Sequence, residues 1–187
     1  MGQNIFLRVF AKTSWVRDWK GQLTHPLTLS LLVLSVGLSA SIYLYAGSRL
    51  SGIGFPLDDA WIHQTYARSL AQYGEWAFLP GRPSAGSTSP LWSVLVSIGY
   101  RLNLSFFSWT FLLGSLCHFG LAWAGEALFR VFQPKLKSPV PWAGLFLAGE
   151  WHFVWAAVSG METLLAGLLV VMVLWMSSVA RGRKWGW

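Results

Sequence analysis

Apolar runs long enough to cross a lipid bilayer constrain this chain more than any other feature. Three of them, 27–49, 105–131 and 161–180, have about the 20 residues that a membrane-spanning helix needs. A fourth run, 139–159, is long enough but contains Glu150 and His152. Only 11% of the 187 residues are charged, which is rare in a soluble domain. The sequence therefore predicts a single-domain, all-α integral membrane protein with about four transmembrane helices.

The positions of Lys and Arg predict how the chain crosses the membrane. A fifth apolar run, 90–102, has 13 residues, which fits a short re-entrant or interfacial helix better than a span. If that run does not cross, ten of the 14 Lys and Arg residues lie on the side of the N-terminus, whereas only five do if it crosses. Because cytoplasmic segments are enriched in these residues, we predict cytoplasmic segments at 1–26 and 181–187 and an external loop at 50–104.

The basic residues and the single cysteine exclude several classes of protein. Lys and Arg form three clusters rather than one stripe, which favours cytoplasmic anchoring over nucleic-acid binding. A basic segment of 26 residues comes before the first apolar run, so we expect that run to be an uncleaved membrane anchor. Small residues near Ala40 leave cleavage by a signal peptidase open. Cys117 stands alone, which excludes an internal disulfide, a redox pair and a multi-cysteine metal site.

The external loop begins with an amphipathic helix, DDAWIHQTYARSLAQY, in which Asp58 or Asp59 is a suitable N-cap. One apolar stripe recurs at helical spacing: Ile62, Tyr66, Leu70 and Tyr73. Gly74 ends the pattern, and Asp59 and His63 are four residues apart, so they could meet on one face. Two readings stay open: a capped helix lying along the membrane, or a carboxylate pair that serves as general base or metal ligand.

The loop that follows, LPGRPSAGSTSPLW, is rich in Gly, Pro and Ser and is either a connector or a flexible wall over a site. Together, DDAWIHQTYARSLAQYGEWAFLPGRPSAGSTSPLW resembles the first external loop of polytopic glycosyltransferases of the C-type fold. The turn 159-SGMET-163 resembles a second recurring element of a bacterial branch related to arabinofuranosyl- and mannosyltransferase-like proteins. The similarity covers roughly residues 27–180.

This resemblance implies transfer of a sugar from a polyprenyl-phosphate donor on the extracytoplasmic face of the bacterial inner membrane. It assigns Asp58 and Asp59 to the family's acidic motif, as general base or as ligands of a divalent cation, and Glu162 to a supporting carboxylate. It also implies a cation for the lipid phosphate, for which Arg68 and Arg82 are the candidates. We group His63 with them as a substrate-binding residue, and we predict no other metal site.

Ionisable residues inside the apolar runs form a second set of candidates: His118, Glu126, Glu150 and His152. Depth counting from the cytoplasmic ends predicts that His118 and Glu150 pair across neighbouring helices. A bis-histidine haem between His118 and His152, or a chlorophyll-type pigment on His118, is the alternative to a satisfied hydrogen bond.

Two functions from different classes are therefore open. The first is the transferase. The second is a non-catalytic accessory subunit that packs against protein, lipid or pigment in a larger membrane complex. Glycosyltransferases of the C-type fold are longer than this chain and have more spans, which favours the accessory subunit. The two motifs shared with them favour the transferase. The buried polar groups predict other membrane-protein subunits as partners, in addition to membrane lipids.

Overall fold

The computed structural model describes residues 21–50 and 52–185, with side chains described as far as residue 180. Residues 1–20 of the predicted cytoplasmic segment and the last two residues of the predicted tail lie outside that part. The elements, in chain order, are α1 Pro26–Leu50, α2 Asp58–Tyr73, β1 Ala77–Leu79, β2 Arg82–Pro83, α3 Pro90–Arg101, α4 Phe106–Phe132, α5 Trp142–Gly149, α6 Trp151–Ala157 and α7 Thr163–Trp185. The described chain is thus mostly helical, as predicted.

Three of these helices are long and apolar enough to cross a membrane. They are α1, α4 and the segment Thr163–Ala180 of α7, with mean hydropathies of 2.0, 1.3 and 2.2. Each coincides with a predicted span to within two residues at the start of the helix. Three of the four predicted spans are therefore confirmed as helices of membrane-spanning length and composition.

Helix α4 is the centre of the molecule and packs against α1, α3, α5, α6 and α7. It approaches α6 so closely that a Cβ atom on Gly114 would lie 1.9 Å from the carbonyl oxygen of Ala157. Helix α7 lies along α4 in the same direction, and the rings of Trp123 and Trp175 meet edge to face with centroids 5.5 Å apart. Small residues on α4 thus allow close contact between helix backbones.

The predicted fourth span, 139–159, is wrong as a single helix. It consists of α5, with eight residues, and α6, with seven, separated at Glu150. Glu150 has extended backbone angles, φ −68° and ψ 123°, and its carboxylate accepts the backbone N–H groups of His152 and Phe153. A carboxylate that caps the start of a second helix competes with continuation of the first. Sequence counting treated Glu150 as an interhelical partner and missed this role.

The interrupted segment nevertheless runs beside α1 over most of its length and in the same direction. Contacts between α1 and residues 139–158 follow the same order along both segments. Thr28 Oγ1 donates to Pro139 O (2.5 Å) and Ser39 Oγ donates to Ala148 O (3.1 Å). Further along, Gly47 and Val158 line the same small cavity. At the rise of an α-helix, residues 28 to 47 of α1 cover about 29 Å. Residues 139–158 therefore match α1 in height although their helix is broken.

A buried ion pair joins α4 to the start of this segment. Arg130 Nε donates to Glu126 Oε1 at 2.7 Å, and both side chains are almost fully buried. Arg130 also donates to the carbonyl of Ser138, while the second Glu126 oxygen accepts the N–H of Gly144. Arg130 bonds Gln22 as well. In the charge count we treated Arg130 as a basic residue of the cytoplasmic side, whereas in the structure its side chain is buried.

Residues 58–101, which we call the 58–101 layer, contain α2, the β1–β2 hairpin and α3. Helix α2 has the predicted extent and ends at Gly74, whose φ of 70° suits glycine and whose N–H bonds Leu70 O. Its N-cap is Leu57, so the prediction that Asp58 or Asp59 caps it is wrong. The buried face is also different from the predicted stripe, because Tyr73 is 58% exposed while His63 and Gln64 are buried.

The hairpin and α3 complete this layer. Strands β1 and β2 pair antiparallel, which corrects the purely helical prediction and the assignment of 79–92 to a loop throughout. Helix α3 has 12 residues and packs along α2 with Trp92, Ser93 and Val96 buried. With 12 residues, α3 is too short to span a bilayer, as predicted for this run.

Candidate functional site

The most connected polar group in the 58–101 layer is His63. Its Nδ1 atom lies 3.1 Å from Ser93 Oγ and its Nε2 atom 3.0 Å from Glu162 Oε2. Ser87 Oγ lies 2.9 Å from Ser93 Oγ and 3.4 Å from the same ring nitrogen. These four residues, His63, Ser87, Ser93 and Glu162, form what we call the His63 cluster. It joins α2, the loop after the hairpin, α3 and the turn before α7.

The turn that carries Glu162 is held against α2 by its glycine. Gly160 has a φ of 83°, and a Cβ atom there would lie 2.9 Å from the Cβ of Ala60. Trp92 Nε1 donates to Gly160 O at 2.9 Å. Positive φ and close approach both require glycine at this position. The sequence element 159-SGMET-163 is thereby fixed beside the helix that begins with the two aspartates.

The two ring nitrogens of His63 thus contact different kinds of partner, a carboxylate at Nε2 and serine hydroxyls at Nδ1. The order serine, histidine, carboxylate is that of a nucleophilic triad. However, His63 is 1% exposed and Ser93 is fully buried, so no substrate reaches these hydroxyls. The cluster positions the backbone; it does not present a nucleophile.

Asp58 and Asp59 stand in the first turn of α2 with exposed side chains. The contact between Asp59 and His63 that their spacing predicted is not formed, and both ring nitrogens of His63 are instead occupied by Ser93, Ser87 and Glu162. The aspartates are therefore free to face solvent or a ligand at the positive end of the helix. Within the described residues, no three His, Cys, Asp or Glu side chains are grouped to hold a metal ion.

The two predicted cations lie elsewhere in the layer. Arg68 is exposed near the end of α2, nine residues and about 14 Å along the helix axis from Asp59. Arg82 is exposed on β2. The structure thus brings Glu162 to His63 but does not bring either arginine to the aspartates.

A second buried chain of hydrogen bonds ties the layer to α4. Tyr100 donates to Gln64 Oε1 at 2.9 Å, and Gln64 Nε2 donates to Thr110 Oγ1 at 2.8 Å. Burial raises the pKa of the Tyr100 phenol, and the nearby Arg68 guanidinium acts in the opposite direction.

Tyr66 fixes the loop before α3, since its hydroxyl accepts the N–H of Gly86 at 2.7 Å.

Sequence reasoning missed Ser87, Ser93, Gln64 and Tyr66. One signal was available: Ser93 and Ser97 recur at i and i+4 on the otherwise apolar helix PLWSVLVSIGYR, which indicates a polar stripe facing another element. The hydroxyls of Ser87 and Ser93 are hydrogen-bond partners of His63, which is buried although it does not belong to the predicted apolar stripe of α2.

The predicted pairing of His118 with Glu150 is wrong. His118 is fully buried, and its Nε2 lies 3.0 Å from the carbonyl oxygen of Leu147. The break at Glu150 explains this contact, since the Leu147 carbonyl would otherwise accept the N–H of residue 151 in a continuous helix. Glu150 itself lies 2.5 Å from His152 Nδ1, and the side chain of His152 is 66% exposed.

These contacts bear on the haem and pigment hypotheses. Ligation of iron or magnesium by His118 Nε2 would break its bond to Leu147, and His152 is stacked on Trp151 with ring centroids 3.7 Å apart. Nε2 of His118 thus has a structural partner, whereas its Nδ1 atom is buried with no hydrogen-bond partner among the described residues.

Comparisons of the chain with protein-family models, with curated proteins and with solved structures find no match in any of the three.

Proposed function

We propose that this chain is a membrane protein of the C-type glycosyltransferase lineage that transfers a sugar from a polyprenyl-phosphate donor on the extracytoplasmic face. One observation carries the proposal. The two sequence elements that resemble that lineage lie about one hundred residues apart, and they meet through the 3.0 Å contact between His63 and Glu162. A packed contact between two such elements supports a shared site rather than two independent similarities.

In the proposed reaction, Asp58 or Asp59 takes the proton of an acceptor hydroxyl. The acceptor oxygen then bonds to the anomeric carbon of the donor sugar, and the bond from that carbon to the phosphate oxygen breaks. The electron pair leaves with polyprenyl phosphate, and the carboxylic acid returns its proton to solvent. Both side chains are exposed in the first turn of α2, so an acceptor hydroxyl has access to them. Glu162 and His63 hold the neighbouring turn and are positioning residues.

The proposed topology has four crossings, the third of them discontinuous. Helices α5 and α6 together match α1 from Thr28 to Gly47, a height of about 29 Å, close to the thickness of the hydrocarbon core. Broken helices cross membranes where the freed backbone groups find partners, and His118 supplies one for Leu147. With both termini cytoplasmic, the 58–101 layer and Glu162 face the extracytoplasmic side of a bacterial inner membrane, in keeping with the charge distribution.

A test of the transfer reaction uses two aspartate variants. The full chain in proteoliposomes is supplied with polyprenyl-phosphate-linked mannose or arabinofuranose and with an oligosaccharide acceptor that has free hydroxyls, and release of polyprenyl phosphate is measured. Asp58→Asn or Asp59→Asn should lower the rate at least about 100-fold, the usual contribution of a general base. Glu75→Gln is the matched control, because Glu75 lies in the same layer but bonds the backbone of Gly81. Wild-type rates in both aspartate variants would refute the proposed role.

An accessory subunit is the second candidate, and the exposure of the long helices favours it. Only 6% of the apolar window of α7 and 22% of that of α1 are buried within the chain. The exposed pair of Glu150 and His152 lies beside Ala148, which contacts the middle of α1. Polar groups at that depth are costly against lipid, so neighbouring helices would cover them. Native mass measurement after gentle extraction tests this: a monodisperse monomer carrying only lipid would refute it.

A further inference from the structure

A separate cavity lies on the far half of the 58–101 layer, between the last turns of α2 and the hairpin. Its volume is about 250 Å³ and it opens to the surface. The side chains that matter for its chemistry are Thr65, Arg68, Ser69, Gln72, Tyr73 and Phe78. We call it the Arg68 pocket. Its size suits a small polar group rather than a whole lipid chain.

The charge of the Arg68 pocket is uncompensated. None of the residues that line it is acidic. Among the described side chains, no carboxylate lies within salt-bridge distance of Arg68. A guanidinium presents five N–H donors in a fixed planar arrangement that matches an oxyanion. The pocket therefore has a cation that is available to an incoming anion.

A second observation points independently to a ligand. Ser69 is 4% exposed, and its hydroxyl is among the few buried polar atoms of the described chain that have no hydrogen-bond partner. Buried hydroxyls are nearly always satisfied, so an orphan that lines a cavity indicates a missing partner inside it. Gln72, exposed one turn further along α2, adds an amide donor. Guanidinium, hydroxyl and amide donors thus converge on one cavity.

We propose that the Arg68 pocket binds a phosphate oxyanion, either the headgroup phosphate of an anionic membrane lipid or a free phosphate. A phosphate accepts from all three donors at once, and Arg68 is suited to bidentate contact with it. Tyr73 and Phe78, exposed by 58% and 47%, flank the site with aromatic rings of the kind that lie at membrane interfaces.

This site is distinct from the proposed transfer site. Arg68 lies about 14 Å along α2 from Asp59, so its side chain does not contact the aspartates and the two sites can be tested separately. Binding at the Arg68 pocket does not depend on the transfer activity, and it can be measured in a chain that catalyses nothing.

The test measures binding by the full chain held in a maltoside detergent, whose headgroup is uncharged and contains no phosphate. Inorganic phosphate is titrated calorimetrically. In parallel, retention of phosphatidylglycerol from a mixed-lipid preparation is followed by native mass measurement. Arg68→Gln should weaken the phosphate affinity or lipid retention about tenfold or more, and Ser69→Ala should weaken it several-fold, since each removes one donor. Arg49→Gln, an exposed arginine at the end of α1, is the matched control and should bind as the wild type does.

Each arm of this experiment is decisive. Loss of phosphatidylglycerol retention in the two variants supports the pocket and identifies a lipid headgroup. Loss of inorganic phosphate binding in the same variants supports it and identifies a free anion. The proposal is overturned if neither probe binds, or if both variants bind as tightly as Arg49→Gln. Ser69→Ala removes one atom from a buried position and is the variant that guards against misfolding, because it deletes an unsatisfied group.

Discussion

The 58–101 layer and the membrane-length helices are held together by different kinds of contact. In the layer, α2 buries His63, Gln64 and Ser69 alongside alanines, and hydrogen bonds link its side chains to α3, α4 and the turn at Glu162. The long helices α4 and α7 instead meet through small and aliphatic residues, such as Gly120 against Leu168. The layer is held largely by polar pairing, whereas the contact between α4 and α7 depends on shape.

The difference separates what each region can do. A network in which one histidine bonds three partners fixes the relative positions of loop, helix and turn, which is what a site requires. Helices with most of their apolar surface exposed can exchange lipid neighbours or partner helices without changing the layer. The following predictions test that separation, beginning with the largest expected effect.

Single cysteines should place the two ends of α4 on opposite sides of the membrane. In a Cys117→Ser background, Thr88→Cys in the 58–101 layer should react with an impermeant maleimide on intact cells, whereas Lys135→Cys should react only after lysis. The effect is all or none because α4 lies between the two positions. Cys117→Ser alone, which leaves no thiol, is the control. Labelling of both cysteines on intact cells would contradict the proposed topology and the division into two regions.

Removing one member of the buried ion pair should cost the most stability. Glu126→Ala leaves the Arg130 guanidinium enclosed without its counter-ion, and we expect the free energy of unfolding to fall by about 3–5 kcal/mol. The midpoint of unfolding in mixed micelles measures it. Lys135→Ala, at an exposed position, should change little.

A double variant completes that experiment. Glu126→Leu with Arg130→Met removes both charges and should recover much of the lost stability, because the penalty comes from the unpaired charge. If the double variant is as unstable as Glu126→Ala, shape rather than charge governs this end of the molecule.

Disrupting the His63 cluster should loosen the layer and leave the long helices intact. His63→Ala removes the contacts to Ser93 and Glu162, which we expect to cost about 1–3 kcal/mol. Hydrogen exchange should accelerate at residues 84–93 and at the turn 159–162, with no change in the middle of α4. Thr88→Ala serves as the control, since Thr88 is exposed in the same layer. Equal acceleration in α4 would show that the two regions unfold as one.

The smallest effect is expected at the helix break. Glu150→Ala removes the side-chain cap from the N–H groups of His152 and Phe153 and should cost about 1 kcal/mol. Exchange of those two amides should accelerate. Glu150→Asp, which retains a capping carboxylate, should exchange more slowly than Glu150→Ala. Unchanged exchange in Glu150→Ala would mean that packing, not the cap, maintains the break.

The long helices were predictable because their signal is local and strong. An apolar run of 20 or more residues satisfies its own backbone in a helix wherever it lies, so 27–49, 105–131 and 161–180 are each found as helices. The end of α2 was equally local, since Gly74 supplies the left-handed residue that stops a helix. These features depend on neighbours within one or two turns.

The remaining features depend on partners far along the chain. Nothing near His63 reveals that Ser93 and Glu162 will enclose it, 30 and 99 residues away, so the buried face of α2 was assigned to the wrong stripe. Glu150 was read as a partner for His118 because depth counting assumes a straight helix. Its role as a cap is visible once the backbone turns at that residue.

The break at Glu150 also gives the molecule a joint. Helix α6 extends from that joint to the turn that carries Glu162, and it is only seven residues long, a lever of roughly 10 Å. Because α6 packs against Gly114 and leads into the turn that Trp92 holds, its position sets where the carboxylate of Glu162 lies relative to His63. A carboxylate in the middle of an apolar segment is thereby connected mechanically to the polar cluster at its end.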